Sequence, residues 1–149
     1  MSAIVPQPVA ILPGGGRTLQ FLGVTYKLTS EQTNGAFYVC EAVFGPESGS
    51  PLHIHHYEDE VVYVLEGAID IRLDNSKLHT SAGGMVHLPK KIPHALQNPL
   101  KIPLRIMVHA IPGGLERYFD EVDAAAQNGL LNTELHTEIS KKYGLEWLE

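Results

Sequence analysis

The chain has 149 residues, 44% apolar and 19% charged, with 11 basic against 17 acidic side chains and a formal net charge of −6. That is one ordinary domain with enough apolar residues for a core. No basic surplus exists to neutralise phosphates, which disfavours nucleic-acid binding, and the apolar run 61–65 is far short of the ~20 residues a membrane-spanning helix needs. The start, MSAIVPQPVAILPGGG, has no basic residue before its apolar stretch and two early prolines; it does not read as a signal peptide. A single cysteine, Cys40, rules out an intrachain disulfide and fits a reducing, cytoplasmic setting.

Residues 1–112 read as β-structure. Short apolar stretches are broken every 8–15 residues by Gly, Pro, Asn or Ser, the pattern of a sandwich or barrel. Strands are expected at 18–21, 24–28, 36–44, 52–55, 60–65, 68–73, 77–80, 85–88, 94–97 and 104–111. Ile69, Ile71 and Leu73 alternate with Asp70 and Arg72, which gives one buried and one wet face. Leu104, Ile106 and Val108 alternate with Arg105 and His109 in the same way. The run 61–65 is apolar on both faces, so both should be covered. Gly14 to Gly16 lack the spacing and lysine of a phosphate loop and read as a turn.

After Pro112-Gly113-Gly114 the period changes. Leu115, Phe119 and Val122 sit at helical spacing with acidic residues on the other side. Asn132 or Thr133 can cap a second helix carrying Leu135 and Ile139, with Lys141 and Lys142 in its last turn and Gly144 just beyond. Residues 113–149 are therefore a short helical C-terminal extension of the same domain. It is expected to pack on the outside of the β-structure or on a partner subunit, with the apolar tail Leu145, Trp147 and Leu148 docking back.

Two segments carry chemistry. In the first, His53 and His55 are two apart on a strand, so both imidazoles face one side; Glu60 follows a short connection. Two neutral imidazoles and a carboxylate are a divalent-metal ligand set. The second segment places His94 after a Pro-bounded turn. His53-x-His55, four residues, Glu60, six residues and Gly67 resemble the first motif of the cupin family. Gly83, Pro89, His94 and Asn98 resemble its second. The resemblance spans roughly residues 20–112 and implies an all-β fold, a cupin jelly-roll β-barrel, holding one divalent transition metal ion on His53, His55, Glu60 and His94. Iron, manganese, nickel, cobalt, copper and zinc are not distinguished. Two positions depart from the pattern. Glu47 stands where the first motif begins with glycine, and Lys91 stands at the turn glycine of the second. A lysine at positive φ is strained, so the placement of His94 depends on that turn.

The C-terminal stretch is similar to the tails of small bacterial cupins related to quercetin dioxygenases. That likeness implies an oxygenase-type oxidoreductase acting on a small enolisable or aromatic substrate, with Glu60 also accepting a proton as catalytic base. A non-redox isomerase or cyclase, and a binding module that uses the metal as an anchor, are the alternatives, because the fold hosts all three. A homodimer paired through its sheets is expected. The remaining candidates have plainer readings. His56 should point away from the two ligands, His87 is as well explained by packing as by the site, and His79 and His109 lie on the rim or surface. Glu58 and Asp59 read as solvated loop acids. Glu41 is a salt-bridge partner or a polar group in the cavity, and Tyr38, Phe44, Tyr63, Met107 and Cys40 are packing residues.

Overall fold

The structure is a computed structural model that describes residues 5–149. Its β-strands are β1 (Arg17–Thr18), β2 (Val24–Leu28), β3 (Tyr38–Phe44), β4 (His53–His55), β5 (Asp59–Glu66), β6 (Ala68–Arg72), β7 (Lys77–Ser81), β8 (Met85–Leu88), β9 (Ala95–Gln97) and β10 (Leu104–Ile111). Helices α1 (Glu116–Gln127) and α2 (Thr133–Lys142) follow, and the chain ends with β11 (Leu145–Trp147). Six strands form one antiparallel sheet in the order β1-β2-β3-β10-β5-β8. A three-stranded sheet runs β7-β6-β9, and β11 pairs with β4.

The period of two decides what faces inward. On β10, Leu104, Ile106, Val108 and Ala110 are buried, while Arg105, Met107 and His109 are half-buried on the other face. Ile69 and Ile71 are fully buried and Arg72 is exposed. On β5, Glu60 shares its face with Val62 and Val64. The register pairs Glu60 with Ala110 on one side and Leu88 on the other, which sets a carboxylate at the end of an apolar row. The outer face of this strand differs from expectation: Tyr63 is 40% exposed and Val61 and Leu65 are only half-buried, so the chain itself covers one face of 61–65, not both.

The helices begin and end close to where capping chemistry places them. The Asn132 side chain accepts the Leu135 N–H at 2.8 Å at the start of α2. In α1 two of the four acids are not on a wet face. Glu116 and Asp123 are buried: Glu116 accepts the Ser30 N–H at 2.6 Å, and Asp123 accepts the Phe21 N–H at 2.8 Å. Burial pushes the Asp123 carboxyl up, but the bonds from Phe21, Gln127 and Gln20 win and hold it below the ordinary range. Amphipathic spacing finds the apolar stripe but not acids that satisfy loop N–H groups of the barrel.

The extension packs on the barrel, yet not on its outside. Leu115, Tyr118, Val122, Ile139 and Leu145 belong to the same buried cluster as the strands. Five such side chains, at about 1.5–3 kcal/mol each, together approach the roughly 5–15 kcal/mol that stabilises a typical domain. A chain ending at Gly113 should therefore fail to unfold cooperatively on heating, and native protein should resist cleavage near Gly114 until it unfolds globally. A truncated barrel melting like the full chain would contradict this.

Candidate metal centre

Strand β4 turns the His53 and His55 rings to one side, and both residues are 6% exposed. His94 enters just before β9, where His53 and His94 exchange both backbone N–H···O bonds at 3.0 Å. Glu60 arrives from the start of β5. One donor atom from each of His53, His55, Glu60 and His94 lies within 4.8 Å of the other three. Ligands about 2.0–2.2 Å from one ion stand at most ~4.4 Å apart, so a small contraction suffices for a shared ion.

The rings are held from behind. His53 Nδ1–H donates to the Pro51 carbonyl at 2.8 Å and His94 Nδ1–H to the Ile92 carbonyl at 3.1 Å. Because a carbonyl only accepts, these bonds leave each Nε2 as a bare lone pair aimed inward. His55 Nε2 sits 3.1 Å and His94 Nε2 3.3 Å from Glu60 Oε1. The His94 contact lacks hydrogen-bond geometry, and its Nε2 is buried without a partner. Burial drives the His53 imidazole down to about 4, helped by His55 and His94, so it is neutral. Burial raises the Glu60 carboxyl, but His55 and His94 outweigh it and hold the group at about 2, so it is ionised. For His53 and Glu60 these are the protonation states a metal requires, while at His55 burial is outweighed by Glu60 and Glu58, which raise that imidazole. Burying this many polar groups without a cation is costly, and the orphaned Nε2 is the atom a metal would satisfy. The donor set fits a divalent transition metal.

The two departures from the motif have a direct structural result. Lys91 adopts φ +69° and Glu47 φ +59°, so each non-glycine residue occupies the left-handed turn that glycine favours. The turn survives because the Lys91 N–H bonds to the His55 carbonyl at 2.8 Å, and His94 still reaches the cluster. Lys91→Gly should raise stability by about 0.5–1 kcal/mol, seen as a melting temperature a few degrees higher. A lower one would mean that the lysine side chain holds the turn. Asn98, the last motif position, is fully buried and donates to the Gly45 and Ile102 carbonyls at 3.0 and 2.8 Å, tying down the exit of β9.

Other candidates fall outside the cluster. His56 pairs with Glu146 at 2.7 Å on the surface, His79 pairs with Asp70, and His87 is exposed. Glu41 takes the salt-bridge role: it contacts Arg105 at 2.8 Å and Lys27 at 3.6 Å on the outer sheet face. Glu58 is no solvated acid. It is 4% exposed, and its Oε2 lies 3.7 Å from His55 Nδ1. Tyr38, Cys40 and Phe44 do more than pack, since they line a cavity of about 300 Å³ that reaches His53, His55 and Glu60. Burial pushes the Cys40 thiol up to about 12, which removes it as a nucleophile.

Part of that cavity wall comes from the extension. Leu115, Tyr118, Phe119, Val122, Leu145 and Trp147 face it. The pairing of β11 with β4 sets Trp147 opposite His53, with ring centroids 5.0 Å apart. Trp147 Nε1–H donates to Ser140 Oγ at 3.0 Å. Helical spacing gives these residues an apolar face but does not show that the face looks inward.

Residues 40–110, from β3 to β10, match a family model described as a cupin domain. This part of the chain is a cupin domain. An uncharacterized protein of Methanocaldococcus jannaschii is 34% identical over 74 residues, which are 50% of this chain and 59% of that protein. Protein SchB of Streptomyces halstedii is 31% identical over 84 residues, 56% of this chain and 59% of its own. The chain thus spans 59% of the length of each of these relatives. The solved cupin domain of Cnp3 from Schizosaccharomyces pombe aligns with 72% of this chain and 70% of its own at a TM-score of 0.57 and 15% identity, a likeness of fold alone. All four candidate ligands of the cupin domain lie inside the matched span. Helices α1 and α2 and strand β11 lie beyond it, although α1 and β11 wall the same cavity. Among the described residues, no helix is long and apolar enough to cross a membrane.

Proposed function

We propose that this cupin is a metal-dependent oxygenase-type enzyme that takes one small, largely apolar, enolisable or aromatic molecule. One observation carries the reading: a three-histidine, one-carboxylate cluster opens onto an apolar cavity of about 300 Å³, the lower end of the usual size for ligand sites. The cavity would exclude water, and Phe119 and Trp147 would hold a flat ring. Glu60 is the group placed to ligate and to take a proton from substrate. A bound transition metal would supply Lewis acidity and, with some metals, access to O₂.

A second reading, non-redox Lewis-acid chemistry or a metal that merely anchors a ligand, is supported by the donor set, which a redox-inert ion such as Zn²⁺ also accepts. The test is metal analysis of fresh protein followed by a screen of small enolic and aromatic compounds under air and under nitrogen. Substrate loss matched by oxygen uptake supports the oxygenase. Turnover that persists under nitrogen supports an isomerase or cyclase, and binding without turnover supports the module. The homodimer is part of the same proposal; it would use the outer sheet face around Tyr63.

A further inference from the structure

We infer that Glu58 is a positioning residue of the metal site, accepting the Nδ1–H of His55 and so fixing which nitrogen of that ring faces the ion and how strongly it donates. The inference rests on the metal reading of the cluster. Glu58 lies on the short connection between β4 and β5 and is buried. Its Oε2 has no hydrogen-bond partner, and neither does His55 Nδ1. These two orphaned atoms face one another at 3.7 Å, and a closure of about 0.8–1 Å makes a charge-assisted hydrogen bond. A buried carboxylate left without a partner is strongly unfavourable, and the imidazole beside it is its complement.

The neighbouring acids are otherwise engaged. Asp59 accepts the Lys90 N–H at 2.9 Å in the loop, and Glu60 faces the cluster. Three consecutive acids therefore have three separate tasks. The three histidines also differ. His53 and His94 are backed by neutral carbonyls, whereas His55 is backed by a charge. A carboxylate behind a ligating imidazole raises its basicity and fixes its tautomer, so His55 is the strongest of the three nitrogen donors.

The probe is Co²⁺, read by competition with a chelator and by the visible absorption of the bound ion. Glu58→Gln should weaken Co²⁺ binding by about 10–100-fold and shift the visible bands, while the metal-free variant melts at or above the wild-type temperature. Glu58→Asp keeps the charge but withdraws it from Nδ1. It should weaken binding and shift the bands too, and it decides the matter if the Gln variant does not fold. Co²⁺ affinity and spectrum unchanged in the folded variants would overturn the role of Glu58 alone. A wild-type chain that does not bind Co²⁺ would overturn the metal reading with it.

Discussion

A chain carrying both His53→Ala and His55→Ala is expected to lose its metal while keeping its fold. The wild-type cupin should hold close to one divalent ion per chain. Removing two of four donors should reduce affinity by more than the roughly 10–100-fold that the loss of an outer partner costs. The barrel should persist because its core is built by apolar side chains such as Ile69, Ile71, Leu104 and Ile106, which are fully buried. Metal at 100 times its Kd stabilises a native state by about 2.7 kcal/mol, so adding metal should raise the wild-type melting temperature by several degrees and leave that of the double variant unmoved. Metal analysis and paired melts measure both halves. Full metal occupancy in the double variant would place the ligands elsewhere.

Glu60→Gln separates the two roles open to that residue. The amide keeps the shape and an oxygen donor but removes the charge and nearly all basicity. If Glu60 is the base, the variant should keep much of its metal and lose turnover by roughly 10²–10⁴-fold. If Glu60 is only a ligand, metal content and activity should fall together, and excess metal should restore activity. Near wild-type turnover in a metal-replete variant would remove Glu60 from the mechanism. Metal content is measured first, and the kinetic comparison follows on whichever compound the screen returns.

The legible part of the site was the part encoded by short-range spacing. His53 and His55 share a face because strands have a period of two, and Glu60 falls on the inward face of β5 with Val62 and Val64 by the same rule. Glu58 was misread for a matching reason: it lies in a connection, where no period applies, and its acidic neighbourhood alone marks it and Asp59 as solvated. Its burial follows from how β4 and β5 fold back on each other. The strand edges also shifted. The expected strand 18–21 shrinks to Arg17–Thr18, because Leu19 bonds back to Val24 across a tight turn.

By itself the sequence determined the class of fold, the order of the first ten strands and the two helices, and the four candidate metal ligands. Each of these rests on local periodicity, capping or motif spacing. Only the tertiary structure decided that the C-terminal segment faces inward. The segment's apolar stripe is equally compatible with an outer face, an inner face or a partner, since periodicity reports which side of a helix is buried and not against what. Pairing of Leu145 with His55 and of Trp147 with His53 joins residues about 90 positions apart, and such contacts are set by which surfaces fit once the barrel exists. For the same reason the cavity beside the cluster, part of its wall built by the extension, came into view only when the extension was in place.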